Sequence, residues 1–216
     1  MSLSHAAIRP HITRLIHTEK GPIHIEGPTL PEKVKGLGID DGLKAFRPAW
    51  RQKEALEEIS ELEDGWVVTA EQDGILIGYI TFHPPCEYER WGRAGLKEIL
   101  ELGAIEVAPG FRHYKLGRNM MEVAFADPVM DDFIVISTEY YWHWDLDGTG
   151  LNVWEYQLVM KKLMEAVGLV KRDTDEQEIR AHPANMLMAR MGANVKPEVA
   201  AAFDRLLFRK KPPEGE

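Results

Sequence analysis

Polar and apolar positions alternate near the start of the chain, and an alternation with a period of two is typical of a half-buried strand. Ile23 and Ile25 alternate with polar neighbours, which predicts a strand over 23–28. Further along, the apolar segments WVVTAEQ and ILIGYITF flank Asp73-Gly74, the dipeptide most typical of a two-residue hairpin turn. The pattern therefore predicts a strand, followed later in the chain by a β-hairpin.

Apolar residues three or four positions apart predict helices. A helical region starts near Pro31 and is interrupted by GLGIDDG at 36–42. Three further helices are predicted, over 51–62, from Leu116 to shortly before Pro128, and over 153–166. The segment HPANMLMARMGANV at 182–195 is expected to form a short helix that ends with Gly192 at the C′ position.

The middle of the chain has the order strand, turn, helix, strand. The segment LKEILELGAIEVAP at 96–109 is expected to be a strand, although its first half is also compatible with a helix. The segment FIVIST at 133–138 is a continuous apolar run, typical of a central strand covered on both faces. Together with the helix that starts at Leu116, these segments predict a βαβ unit.

The composition is that of an ordinary globular protein and reduces the number of function classes to consider. The chain has 216 residues, which favours one domain with one buried core. Its formal net charge of −9 argues against nucleic-acid binding, because phosphate neutralisation needs a basic face. The single cysteine, Cys86, excludes an intramolecular disulfide and favours a reducing compartment. No run approaches the ~20 apolar residues of a membrane span, so we expect a cytoplasmic protein without a membrane partner.

The segment VAPGFRHYKLGR at 107–118 joins a strand directly to a helix. Arg112, Lys115 and Arg118 place positive charge there, and Gly117 allows close approach of another molecule to the backbone. Helix N-termini carry about half a positive charge and unpaired N–H groups. The junction therefore predicts an anion site, with a phosphate or pyrophosphate as the expected ligand. Neither the P-loop pattern nor the glycine-rich dinucleotide pattern is present in the chain.

This stretch resembles motif A of the GCN5-related N-acetyltransferase (GNAT) superfamily, in which a strand ending in V-x-P precedes R-x-x-G-x-G and a helix. Val107, Pro109, Arg112 and Gly117 match the pattern, whereas its first glycine is Lys115 here. The resemblance implies acetyl-CoA as donor, with strand amides holding the acetyl carbonyl and loop amides wrapping the pyrophosphate. The side chain of Lys115 would either crowd the phosphate or supply charge to it. The candidate cofactor-binding residues are Glu106, Val107, Ala108, Arg112, His113, Tyr114, Lys115, Leu116, Gly117, Arg118 and, near the last predicted helix, Asn185.

Three further segments resemble the acetoin-utilisation acetyltransferase family of that superfamily: ELGAIEV, FIVISTEYYWHWDLDGTGLNVW and HPANMLMAR. The resemblance covers 20–208 as a single domain, with 139–181 as a family-specific aromatic and helical insertion and with 1–19 and 209–216 as terminal extensions. It implies an α/β fold with a mixed, mostly antiparallel sheet that splays at a central strand and carries helices on both faces. It also implies a protein substrate, the active-site lysine of AMP-forming acetyl-CoA synthetase, which acetylation switches off.

Acetyl transfer to a lysine needs a base, because a lysine with a pKa of about 10.4 is protonated at neutral pH. Glu101 precedes Arg112 by eleven positions, similar to the catalytic glutamate of the superfamily's histone acetyltransferases, and Glu106 is the second candidate. A regular strand would place the two glutamates on opposite faces. The alternative for each carboxylate is a neighbouring basic residue or solvent.

The acid that protonates the leaving thiolate is a tyrosine in many members of the superfamily. The matching position here is Met188, which cannot donate a proton. The candidates are therefore Tyr140, first, and Tyr141, unless the thiolate leaves unassisted. Both tyrosines could instead be core or interface aromatics.

The aromatic stretch 139–157 is the expected surface for a protein partner, because Trp and Tyr are enriched in interface hot spots. The alternative is that these rings wall the core. No metal-binding spacing is present, and a homodimer is one alternative for the oligomeric state. Two other functions stay open at this point, a small-amine N-acetyltransferase of the same fold and a catalytically weak regulator that binds coenzyme A.

Overall fold

The structure, a computed structural model, describes residues 10–208. Nine strands lie in this part of the chain: β1 (Ile12–Thr18), β2 (Gly21–Gly27), β3 (Gly38–Ile39), β4 (Trp66–Gln72), β5 (Ile75–His83), β6 (Ile99–Val107), β7 (Ile134–Glu139), β8 (Val170–Arg172) and β9 (Met186–Met191). The same residues contain eight α-helices: α1 (Pro31–Gly36), α2 (Ala49–Glu61), α3 (Arg90–Arg93), α4 (Leu116–Phe125), α5 (Leu146–Thr149), α6 (Val153–Glu165), α7 (Gln177–Arg180) and α8 (Pro197–Leu207). The predicted extension 209–216 lies outside the described residues, as do residues 1–9.

All nine strands form one sheet in the order β1-β2-β4-β5-β6-β7-β9-β8, with β3 beside β5. Neighbouring strands are antiparallel except for two parallel pairs, β6 with β7 and β3 with β5. The predicted α/β class with a mixed, mostly antiparallel sheet is confirmed.

The two central parallel strands separate soon after they meet. β6 and β7 pair only through Ile99–Ile134, Leu100–Val135 and Glu101–Ile136, although β6 continues to Val107 and β7 to Glu139. Beyond Glu101, β6 therefore keeps its ladder to β5 on one edge and has no strand partner on the other. This opening is the splay that the resemblance implied.

Apolar residues cover both faces of the sheet. Adjacent residues of a strand face opposite sides, and on β7 Val135 belongs to the main core while Ile134 and Ile136 belong to a second cluster. The main core includes residues of α2, α4 and α6. The second cluster includes Trp91 of α3, with residues of α7 and α8. Helices therefore pack on both faces.

The hairpin and the three central helices form where the sequence pattern predicts them. Asp73 and Gly74 both have positive φ, 53° and 77°, which gives β4 and β5 their tight turn. α2, α4 and α6 occupy the three segments with helical spacing. Asn152 begins α6 with a capping box, since its side chain accepts from the backbone while Glu155 reaches back.

The prediction of a helix within 182–195 is wrong, because residues Met186–Met191 form strand β9. Its first four residues, Met186 to Ala189, are buried, and β9 is held by β7 on one side and β8 on the other. A short apolar run has no period that separates strand from helix, so pairing with neighbouring strands decides. Gly192 consequently ends a strand, and its φ is not positive.

The expected domain start at residue 20 falls in the turn between β1 and β2. β1 pairs with β2 over its whole length, from Ile12–Gly27 to Thr18–Gly21, so the sheet begins ahead of that boundary.

We expect Gly192→Ala to lower the free energy of unfolding by about 1–3 kcal/mol, because overpacking against a fixed neighbour is costly. A Cβ at this position would lie 2.3 Å from the backbone oxygen of Asp131 and 2.6 Å from that of Phe133. Gly36→Ala is the matched control, since nothing lies within 4 Å of its Cβ position. Urea denaturation measures both variants, and equal stability of the two would contradict the strand ending described here.

Candidate active site

A cavity of about 310 Å³ opens where β6 and β7 separate. Five parts of the chain wall it: β6, the start of α4, the end of β7, the aromatic segment after β7, and α6. The connection before α2 adds Phe46, whose ring meets the edge of His143 at 5.6 Å between centroids. The cavity is lined by Ala45, Phe46, Gly103, Ala104, Ile105, Glu106, Val107, Arg112, Lys115, Leu116, Gly117, Thr138, Glu139, Tyr140, His143, Trp144, Asp145, Thr149, Leu151, Tyr156, Val159, Met160 and Leu163.

The two glutamates of β6 lie on the same face of the sheet. Glu101 is opposite His83 and Glu106 is opposite Tyr79, and these partners are four positions apart on β5. The register shifts between the two pairs, with Gly103 as the extra residue of a β-bulge. The expectation that the glutamates face opposite sides is therefore wrong. Because the bulge places the two glutamates opposite residues four positions apart on β5, their Cα atoms are about 13 Å apart.

Glu101 is a buried carboxyl beside the cavity. Only 9% of the residue is exposed, and Thr138 Oγ1 donates to its Oε1 at 3.4 Å. Burial, with the charge of Glu89 as a second cause, raises the pKa of Glu101 to about 7, against a small opposing effect from Thr138. A carboxyl with this pKa exchanges a proton readily near neutral pH, as a general base must.

Glu106 lines the cavity but both of its oxygens are engaged. Its Oε1 accepts from the backbone N–H of Ala45 at 2.8 Å, and its Oε2 accepts from the Tyr79 hydroxyl at 2.6 Å. Burial and the Glu106 charge raise the pKa of Tyr79 far above its usual value, so the hydroxyl stays protonated and keeps donating. Glu106 therefore ties the segment before α2 to the cavity wall.

Glu139 is a further carboxyl at the cavity and is not among the predicted site residues. Its oxygens accept from Trp144 Nε1 and from Ser137 Oγ, each at 3.1 Å. Burial raises its pKa, and these two hydrogen bonds oppose the rise. Thr138, next to it on β7, is also missing from the predicted site residues. A polar residue at the end of a buried central strand often lies at a functional site, and this signal could have identified it.

The turn that the sequence predicts to bind an anion forms a 3-10 helix, Pro109–Tyr114, that passes through Lys115 into α4. Lys115 has φ 56° and ψ 29°, a left-handed conformation, which explains why the superfamily pattern has glycine at this position. No side chain caps α4 and its first turn has no acidic residue. The N–H groups of that first turn lack intrahelical acceptors, so the helix presents them at the cavity beside Lys115 and Gly117.

Arg112 points to the cavity but is held by a protein carboxylate. Its Nη2 donates to Asp145 Oδ2 at 2.6 Å, which lowers the pKa of Asp145. Its Nη1 is buried and has no hydrogen-bond partner among residues 10–208. This orphaned donor, the uncapped α4 terminus and the apolar wall from Val159 and Leu163 fit a diphosphate joined to a pantetheine chain. The residues present therefore fit coenzyme A.

Comparison with known proteins decides the family. The model of the acetyltransferase (GNAT) family matches residues 39–127. The acetoin utilization protein AcuA of Bacillus licheniformis is 47% identical over 196 residues, covering 91% of this chain and 93% of that protein. AcuA of Bacillus subtilis is 46% identical over 193 residues, covering 89% and 92%. This chain belongs to the AcuA family of GNAT acetyltransferases.

A solved structure supports the same assignment. The crystal structure of the acetoin utilization protein from Exiguobacterium sibiricum has a TM-score of 0.90 and 47% identity, and the match covers 93% of this chain and 95% of that one. As an AcuA-family member, the protein is an N-acetyltransferase, with acetyl-CoA as its co-substrate.

In this AcuA-family protein, the cavity brings together part of the predicted set of site residues. Glu106, Val107, Arg112, Lys115, Leu116, Gly117 and Tyr140 line it. Ala108 is buried behind it, and its N–H donates to Ile77. Arg118 pairs with Glu122 on the exposed side of α4, and the Tyr114 hydroxyl donates to Glu19. His113, like these three residues and Glu101, is not part of the lining.

Asn185 lies away from the lining and holds two loops together. Its Oδ1 accepts from the backbone of Tyr141 at 3.0 Å and its Nδ2 donates to the backbone of Glu178 at 2.8 Å. Met188 is buried within β9, so the tyrosine position of the superfamily pattern has no counterpart on a helix here. Among residues 10–208, no group of three or more His, Cys, Asp or Glu side chains is placed to hold a metal, and no helix is long and apolar enough to span a membrane.

We expect Gly117→Ala to weaken coenzyme A binding at least about tenfold, a change of about 1.4 kcal/mol, with little change in the stability of the free protein. The new Cβ would lie 3.7 Å from Ile105 and Leu163, an ordinary contact, so the fold accepts it. The methyl group would occupy the space where a ligand approaches the α4 amides.

Isothermal titration with coenzyme A measures the affinity, and thermal melting without ligand measures stability. Gly36→Ala, at a position outside the cavity lining, is again the control. An affinity equal to that of the wild type would exclude the start of α4 as the diphosphate site.

Proposed function

We propose that this protein is a cytoplasmic protein lysine N-acetyltransferase that modifies the active-site lysine of AMP-forming acetyl-CoA synthetase and so controls acetate and acetoin metabolism. The observation that carries the proposal is the buried Glu101 beside the cavity at the splay, in a chain similar to acetoin utilization proteins. A carboxyl with a pKa of about 7 is suited to taking a proton from a lysine amine.

The residues around the cavity divide the chemistry between them. Bound acetyl-CoA supplies the thioester carbonyl that the amine attacks. Glu101 takes the amine proton, directly or through water, and Glu106 fixes the neighbouring segment through Ala45. Tyr140 is the proposed donor to the leaving sulfur, since it lines the cavity and burial raises its pKa, which keeps its hydroxyl protonated.

Transfer within a ternary complex is the proposed route. The cavity lining contains no cysteine, and Cys86 is exposed on the connection after β5. Lysine acetylation therefore needs both substrates bound together, with Glu101 acting on the amine rather than on an enzyme nucleophile.

The aromatic segment 139–157 is the proposed surface for the synthetase. Trp142 and Trp154 are 49% and 53% exposed, although large aromatic side chains are usually covered. Trp154 stacks on His182, whose ring also meets Tyr141. The segment lies at the cavity, which it lines through Tyr140, His143 and Trp144, so a protein bound there would be near the acetyl donor.

We expect Glu101→Gln to lower kcat by roughly 10²–10⁴-fold while coenzyme A binding is kept. In the wild type, kcat/KM should fall as pH drops through about 7, because protonated Glu101 cannot accept a proton. The variant should lose this dependence. If kcat/KM of Glu101→Gln still fell as pH drops through about 7, another carboxyl such as Glu139 would be the base.

With acetyl-CoA as donor, we expect this protein to add about 42 Da to purified acetyl-CoA synthetase at its active-site lysine, the mass of an acetyl group that replaces a hydrogen.

Trp154→Ala should raise KM for the synthetase several-fold by removing an exposed anchor. Trp50→Ala is the matched control, because Trp50 is 59% exposed on α2 and outside the cavity lining.

Intact-mass spectrometry and tryptic mapping measure the transfer. Acetylation of small amines alone would favour the small-amine enzyme. Binding of coenzyme A and synthetase without any mass change would favour a regulator, for which Lys115 at the loop glycine and Met188 at the tyrosine position are the motivation.

A further inference from the structure

Arg112 is held by protein groups at two of the three nitrogens of its guanidinium. Its Nη2 donates to Asp145 Oδ2 at 2.6 Å, and its Nε donates to the backbone oxygen of Val107 at 3.4 Å. The third nitrogen, Nη1, is buried and has no hydrogen-bond partner within residues 10–208. Arg112, Val107 and Asp145 all line the cavity between β6 and β7. The two contacts therefore set the orientation of the guanidinium and leave Nη1 for a ligand.

Asp145 is itself fixed where the aromatic segment 139–157 enters α5. Its second carboxylate oxygen, Oδ1, accepts from the backbone N–H of Gly148 at 2.9 Å and so caps α5. Its backbone oxygen accepts from the backbone N–H of Thr149 at 3.1 Å and from the hydroxyl of Thr149 at 2.7 Å. One carboxylate oxygen is thus anchored to the helix, and the other is directed at Arg112.

The space beside the Asp145 carboxylate has room only for glycine at position 148. A Cβ there would lie 2.3 Å from Asp145 Oδ2, the oxygen that accepts from Arg112, and 2.5 Å from Oδ1. A larger residue would push the carboxylate out of its present position. Gly148 therefore leaves room for the carboxylate at the point where it meets Arg112.

Asp145 affects an anionic ligand at this site in two opposite ways. The hydrogen bond from Arg112 is the main cause that holds the pKa of Asp145 below its usual value, while burial opposes it, so the group is ionised at neutral pH. Its negative charge alone would repel a diphosphate. Its hydrogen bond, in contrast, would present Arg112 to that diphosphate. Substitution of Asp145 separates the two effects, because they change the affinity in opposite directions.

We propose that Asp145 is a positioning residue for the donor: it holds Arg112 so that Nη1 donates to the diphosphate of acetyl-CoA. An arginine that is oriented before binding loses less conformational freedom when it binds a phosphate. Nη1 thereby gains the acceptor that it lacks, and a buried donor without an acceptor is costly. Asp145 consequently makes the site selective for donors that carry a diphosphate. The proposal does not depend on which acceptor the enzyme modifies.

We expect Asp145→Asn to weaken coenzyme A binding about tenfold or more, because asparagine has one acceptor oxygen for the two donors that the carboxylate serves. Asparagine caps helices as well as aspartate does, so α5 should be kept. Gly148→Ala displaces the carboxylate without changing its charge and should also weaken binding. Asp204→Asn is the matched control, since Asp204 accepts from Arg172 at 2.7 Å outside the cavity lining. Isothermal titration showing that Asp145→Asn binds coenzyme A as tightly as the wild type, or more tightly, would overturn the proposal.

Shortened ligands separate the positioning of Arg112 from general support of the cavity walls. Dephospho-coenzyme A keeps the diphosphate and lacks only the ribose phosphate, whereas pantetheine has no phosphate. Asp145→Asn should weaken binding of coenzyme A and of dephospho-coenzyme A by the same factor and should leave pantetheine binding, measured by ligand-observed NMR, unchanged. An equal loss for all three ligands would show that Asp145 only supports the cavity walls and would overturn the proposal.

A double-mutant cycle tests whether Asp145 acts through Arg112. Arg112→Ala should weaken coenzyme A binding, and Asp145→Asn should cause no further loss in that background, because the side chain that it orients is gone. The same loss in both backgrounds would overturn the proposal. None of these measurements uses an acceptor. If they gave the expected results and the synthetase were not acetylated, the proposed function would fail while the role of Asp145 would stand.

Discussion

The separation of two parallel strands after three paired residues is the constraint on which the site depends. β6 and β7 run together from Ile99 to Glu101 and then diverge, although both strands continue. A strand edge without a partner inside a protein is costly unless its polar groups are satisfied. Ser137 Oγ donates to the backbone oxygen of Leu102 at 3.2 Å and partly closes the opening. The rest of the opening is the cavity proposed to hold acetyl-CoA, with α4 and α6 over one side and the bulged face of β6 beside it.

The residues around this opening work against stability, as active sites commonly do. The pKa of Glu101 is raised from its usual value near 4.5 to about 7, so the native state holds a proton that the unfolded chain has lost between these values. The ionisation of Glu101 therefore opposes folding as pH rises through this range. Lys115 adds the cost of a left-handed residue with a side chain, about 1–2 kcal/mol. Arg112 leaves one buried donor without a protein partner. A bound diphosphate would relieve the last of these.

Much of the fold follows from local patterns, and the site follows from them only in part. The Asp73-Gly74 hairpin and helices α2, α4 and α6 form where turn chemistry and helical spacing predict them, because these signals act over a few residues. β9 could not be predicted this way, since its run of buried residues is decided by pairing with β7 and β8. The motif at 107–118 predicted the charged turn, but the partner of Arg112, Asp145, is 33 residues away. The bulge at Gly103, which brings Glu101 and Glu106 to one face, has no signal beyond the glycine itself.

The most direct test of the account is a crystal structure of the protein with coenzyme A. The pantetheine chain should lie in the opening between β6 and β7, with the diphosphate at the N–H groups of Leu116, Gly117 and Arg118. If coenzyme A lay elsewhere and protein side chains filled the opening between β6 and β7, this assignment of the site would be contradicted.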